Sequence, residues 1–141
     1  MTAKEYLNGI RKLKRQTNNK IRQCKDIREK LMFLEGIDYR RDRIQTSSQD
    51  QLAATMATLL DLENETIGLI DQYAHLYDEA INRINSLSRK EYIDILLMRY
   101  LSDKPKERQF EYIACSINYS YVRTCHMHGE ALKELERKYL T

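Results

Sequence analysis

Cys115, Cys125, His126 and His128 are the residues of this chain whose types and spacing come nearest to a metal site. Zinc sites rest on CxxC or paired-histidine spacings, because neighbouring ligands must reach one ion from one turn or one helix face. Cys125 and His128 stand three apart on one helical face, but Cys115 has to cross from another helix, and neither CxxC nor His-x3-His occurs. They read as ordinary thiols and imidazoles, and no metal ligand is assigned. A Gly-rich phosphate loop, a nucleophile elbow and an acidic cluster spaced for a metal are also missing from the sequence. His75, between Ala74 and Leu76, reads as an interface or surface histidine. No catalytic residue and no cofactor-binding residue follows, and the expectation is a binding protein rather than an enzyme.

Binding chemistry concentrates near the C-terminus. Phe110-Glu-Tyr-Ile-Ala-Cys-Ser-Ile-Asn118 predicts a short helix with a sharp stop, Asn118 being the best non-glycine candidate for a positive φ. Tyr119 and Ser120 make the turn, Ser120 caps, and Tyr121 to Tyr139 predicts a longer helix. A short helix, a tight turn and a capped longer helix form the arrangement in which the second helix enters the major groove of DNA. Thr124, Met127, Ala131 and Leu135 share one face, suited to packing on Phe110, Ile113 and Ile117. Ser120, Tyr121, Val122, Arg123 and His126 are left at the opposite, N-terminal end, where base edges are read. Arg123, Lys104, Lys106 and Arg108 are the cations placed to meet phosphates, a solvated surface role being the equal alternative for each. The reading face is poor in the Arg, Gln and Asn that make bidentate base contacts, so it offers methyl contacts and single hydrogen bonds. Of the two tyrosines at the turn, packing is the first expectation and stacking on nucleic acid the second.

The rest of the chain must position this end. With four Gly, one Pro and 32% charged residues in 141, the composition favours long helices. Ile10, Leu13, Thr17, Lys20, Cys24, Ile27, Leu31 and Leu34 recur at steps of three and four, an a/d stripe of more than three heptads. Lys20 and Thr17 weaken its middle, where Ile21 is expected to take over, and Gly36 is expected to end the helix. Residues 36–50 are polar and aperiodic and read as the connection, with Ser47 or Ser48 capping the next helix and Ser48 forming a capping box with Gln51. The second helix is expected to run to about Ile84, with Met56, Leu59, Leu60, Ile67, Ile70, Ala74, Tyr77, Ile81 and Ile84 on its packed side. Glu63 interrupts that side and is expected opposite Lys20 or another base. Ser88 and Glu91 predict a second capping box, opening a helix through Tyr92, Ile95, Leu96 and Tyr100. Pro105 suits the first turn of the helix that follows.

Charge supports this folding-back. Residues 1–35 carry ten Lys/Arg against four Asp/Glu, and residues 51–87 carry one Arg against six acids. Segments of opposite sign favour antiparallel pairing, although each exposed ion pair contributes only ~0–1 kcal/mol. The net charge of +3 alone names no nucleic-acid partner. Three cysteines cannot all pair within the chain, which fits a reducing compartment. No run approaches the roughly 20 apolar residues of a bilayer span, and the opening residues lack a signal-peptide core. The expectation is a cytoplasmic protein with no membrane contact. The sequence thus predicts an all-α chain, with a long antiparallel helical hairpin over 1–87 and a three-helix helix-turn-helix domain over 88–141. Leu52, Met56, Leu60, Ile67, Ala74 and Ile81, added to the residues facing the first helix, exceed what one partner helix can cover, so a homodimer through the hairpin is expected.

The C-terminal residues resemble region four of bacterial sigma factors, in which a helix bearing Ile-Ala, a turn ending in Ser or Thr, a reading helix and Ala-Leu-basic-x-Leu succeed one another. Ile113-Ala114, Ser120 and Ala131-Leu132-Lys133-Glu134-Leu135 occupy those places. The chain as a whole is similar to small phage and prophage proteins of Gram-positive bacteria that join a helical hairpin to such a domain. Ala3-Lys4-Glu5-Tyr6-Leu7, Ser47-Ser48-Gln49-Asp50, Arg99-Tyr100, Tyr119-Ser120-Tyr121, His128-Gly129 and Ala131-Leu132 carry that resemblance. It implies a phage-type transcriptional regulator of late genes that binds double-stranded DNA. Two other uses follow from the same architecture: contact with RNA polymerase, as sigma region four makes with the polymerase flap, and DNA packaging of the small-terminase type.

Overall fold

Thr2 and Glu5 start the first helix by capping each other. The Glu5 amide donates to Thr2 Oγ1 at 3.1 Å and the Thr2 amide donates to Glu5 Oε2 at 3.0 Å, a reciprocal capping box. In the computed structural model, residues 1–40 and 46–140 are described, with side chains at 1–36 and 50–140. The chain is all-α: α1 (Ala3–Arg40), α2 (Thr46–Asn85), α3 (Lys90–Leu96), α4 (Phe110–Ile117) and α5 (Tyr121–Tyr139). A π-helical turn, Leu97–Leu101, prolongs α3, and a 3-10 turn, Pro105–Arg108, precedes α4. No helix of the described residues is long and apolar enough to cross a membrane.

Two compact units result. One is residues 13–73, the paired middle of α1 and α2; the other joins residues 1–12 to 74–141. In the first, Leu13, Thr17 and Cys24 are buried on α1 and Thr66 on α2. Cys24 Sγ meets Thr66 Oγ1 at 3.5 Å, and both threonine hydroxyls also donate to the carbonyl four residues back, at Leu13 and Leu62. Such back-bonding lets a hydroxyl sit in an apolar seam without an unmet donor. Lys20 pairs with Glu65 at 3.2 Å, and Glu63 pairs with Arg28 rather than with Lys20.

Four expectations are corrected here. Lys20 keeps the seam position by bending its amine to Glu65, while Ile21 stays exposed. Gly36 does not stop α1, which continues to Arg40 with no left-handed glycine. A glycine inside a helix costs about 1 kcal/mol against Ala, and it ends the helix only if the chain turns left-handed there. On α2 the inward line is Leu59, Leu62, Thr66, Leu69 and Tyr73, with Thr66 buried and the other four half-buried, whereas Met56, Leu60, Ile67, Ile70 and Ala74 are exposed. One partner helix covers one stripe, and the stripe beside it is left out. Last, α2 begins at Thr46, ahead of Ser47 and Ser48. The side chains of that proposed cap lie outside the described residues, as do residues 41–45 of the proposed connection.

The second unit holds the larger core. Ala3, Leu7 and Ile10 from α1 and Ala80, Ile84 and Leu87 from the end of α2 and its connection are buried with Ile95, Leu96, Ile113, Met127, Ala131 and Leu135. Arg83 lies over the rings of both Tyr6 and Tyr139, and Lys138 donates to the Ser86 carbonyl at 2.7 Å. The Ser88–Glu91 box is not formed. Ser88 gives both its amide and its hydroxyl to Glu134 of α5, each at 3.1 Å, so Arg89 becomes the cap of α3.

Because α1 begins inside the same unit as the C-terminal helices, its first turns are expected to support them. Leu7→Ala removes a fully buried side chain and should cost ~2–5 kcal/mol. A melting temperature within about two degrees of the parent's would contradict that packing.

Candidate nucleic-acid interface

The turn between α4 and α5 is set by two residues. Asn118 adopts φ 61° and ψ 41°, the left-handed conformation. The backbone amides of Asn118 and Tyr119 both donate to the Ala114 carbonyl, the latter at 3.1 Å, closing the end of α4. Ser120 is extended, and its Oγ accepts from the Arg123 amide at 3.1 Å, which starts α5. Thr124, Met127, Ala131 and Leu135 are buried on one face of α5, as their spacing predicts. Met127 packs with Ile95 and Ile113, and Tyr92, Met98, Phe110 and Ile117 surround that cluster.

With those positions turned inward, the helix period turns the others out. Ser120, Tyr121, Val122, Arg123 and His126 are all exposed, Val122 at 64% and Tyr121 at 49%. They form one surface at the N-terminal end of α5. Tyr121 also meets the edge of Phe110, with ring centroids 6.4 Å apart, and its hydroxyl is pushed up by Cys125 and Glu111 beside it.

The two cations ahead of α4 are placed differently from each other. Lys106 is exposed on the 3-10 turn. Arg108 is half-buried, its Nε is enclosed without a hydrogen-bond partner, and its carbonyl accepts from Arg99 at 2.7 Å. Arg99 lies 4.5 Å from the Phe110 ring centroid, so one guanidinium ties the loop to the start of α4. The expected helix from Pro105 is split, since Gln109 is extended between the 3-10 turn and α4.

Glu130 was missed by the sequence reading. It lies four residues after His126 on the same face, and that spacing signals it. It accepts from the Tyr92 hydroxyl at 2.6 Å. That bond, and then the Arg123, Arg89 and His126 charges, hold its carboxyl below the usual range. The cationic end of α5 is thus partly neutralised from within. Tyr112 and Tyr119 join Tyr121 and Val122 as exposed apolar side chains around the turn. Tyr119 bonds its hydroxyl to Glu91 at 3.2 Å, which ties the turn to α3.

His128 and Cys125 do not form a joint site. The His128 ring stacks on Tyr100 at 5.7 Å, meets Phe110 edge-on at 5.0 Å, and its Nε2 lies 2.8 Å from the Tyr100 hydroxyl. Cys115 is exposed, and no three His, Cys, Asp or Glu converge among the described residues. No family model matches the chain, and comparison with curated proteins and with solved structures returns no match.

Burial, reinforced by the Arg99 and Lys4 charges, lowers the His128 imidazole from its ordinary value of 6.5 to about 4. The folded form therefore holds it neutral while the unfolded chain takes up the proton first. That contribution to stability is complete above the unfolded value and is lost as pH falls from about 6.5 towards about 4. Urea midpoints should accordingly drop between pH 7 and 5, and His128→Gln should flatten the drop. An identical pH slope in parent and variant would refute this assignment.

Proposed function

We propose that this chain is a DNA-binding transcriptional regulator of the phage type, acting in the cytoplasm and catalysing no reaction. The observation that carries the reading is the turn at Asn118 and Ser120. It leaves the first turns of α5 exposed while the inward face of α5 is fully packed. In this reading α5 enters the major groove of double-stranded DNA, and Lys106, Arg108 and Arg123 lie against phosphates. Tyr121 and Val122 meet thymine methyl groups, and His126 makes a single hydrogen bond to a base edge. The hairpin supplies a second copy of the chain, and so a second reading helix.

A second reading has its own support. Glu130 and Glu111 beside the cations, together with the exposed Tyr112, Tyr119, Tyr121 and Val122, suit a protein surface. In that reading the same face meets RNA polymerase instead of a duplex. Packaging of the small-terminase type stays a third use of the architecture, with no separate observation in its favour.

Fluorescence anisotropy with duplex carrying the upstream region of the gene separates these readings. Arg123→Ala should weaken binding and lower the salt slope by about one counterion. Arg123→Ala with His126→Ala should weaken it further. If the double variant binds with parental affinity, α5 is not the reader. If the parent binds no duplex at low salt yet associates with core polymerase, the second reading replaces the first.

A further inference from the structure

The exposed side chains of the hairpin's middle unit are not scattered. On α1, Ile21, Lys25, Arg28 and Met32 follow at steps of four, three and four, and so share one face. On α2, Met56, Leu60, Glu63, Ile67 and Ile70 do the same at four, three, four and three. The two stripes lie on the same side of the hairpin. Ile21, Lys25 and Arg28 line one open groove of about 360 Å³ with Glu63 and Ile67, floored by Cys24 and Thr66. Leu60 and Ile67 are 60% and 62% exposed, and Met32 and Met56 are exposed too. Each helix thus carries its seam stripe and an adjoining one, the pattern of a helix in a four-helix bundle with two neighbours to bury.

We infer that a second copy of this chain docks on that face, α1 of one copy lying against α2 of the other. The inference deepens the role proposed for the hairpin and does not depend on DNA binding. Charge selects both the occupant and its orientation. Residues 13–36 carry seven Lys/Arg against three acids, while residues 50–73 carry five acids and no Lys or Arg. Two hairpins can stack face to face in two symmetric ways. A two-fold axis across the helices sets α1 on α1 and α2 on α2, like charge on like. A two-fold axis along the helices sets each basic α1 on an acidic α2 and keeps every neighbour antiparallel. The second arrangement surrounds every helix with unlike charge and closes the apolar stripes against each other.

Sedimentation equilibrium of the full-length chain without DNA tests this directly. A dimer is expected at about 10–50 μM, dissociating more readily in 500 mM than in 50 mM NaCl. Leu60→Lys with Ile67→Lys should give a folded monomer with unchanged helical circular dichroism, because both side chains are exposed within one copy. Arg22→Glu with Lys25→Glu, also at exposed positions, should weaken the dimer about tenfold or more, and it decides the matter if the lysine variant does not fold. A full-length chain that is monomeric at 50 μM overturns the inference, whether or not it binds polymerase. So does a folded lysine variant that still dimerises. Association that tightens with salt overturns the unlike pairing of α1 and α2.

Discussion

The structure of the C-terminal end hangs on the burial of one stripe of α5. Thr124, Met127, Ala131 and Leu135 are wholly enclosed, and at 3.6 residues per turn this fixes the direction of every other side chain on that helix. Met127 and Leu135, so buried, each contribute on the order of 1.5–3 kcal/mol, far more than a surface ion pair. The outward set of Val122, Arg123, His126 and Glu130 is a geometric consequence of that burial. The backbone that carries this outward set is therefore anchored by the core behind it. A rigid presentation of a few side chains is what groove recognition requires.

Stops and caps decide where α5 begins, and these were legible in the sequence because they are local. Asn118 takes the left-handed conformation that non-glycine residues other than Asn and Asp avoid, and Ser120 accepts the orphan amide of Arg123. Both choices depend on residues within a turn of each other. The stripe of α5 was legible for the same reason, since one helix period carries it. The Ser88–Glu91 box failed because a residue 46 positions away, Glu134, competes for the same serine. No local pattern reveals that competitor.

Long-range choices explain the other differences too. On α2, apolar residues occupy two adjoining stripes, and periodicity alone does not say which faces α1. Thr66 sits at the centre of the seam because its hydroxyl returns to the Leu62 carbonyl and meets Cys24. A polar residue at that place hid the seam from a reading based on hydrophobicity. Gly36 illustrates the opposite error, in which a residue able to stop a helix is carried through one. His128 read as an ordinary imidazole, and only the folded chain shows that Tyr100 and Phe110 enclose it as part of the packing under α4 and α5.

The N-terminal end of α5 is proposed to meet duplex DNA. Amide chemical-shift mapping of the full-length chain, titrated with a 20-base-pair duplex of random sequence at low salt, addresses it residue by residue. Shifts are expected to concentrate at Ser120, Tyr121, Val122, Arg123 and His126, with smaller ones at Lys106 and Arg108, and to fade as salt is raised. Shifts confined to the basic middle of α1, or none at all, would contradict it.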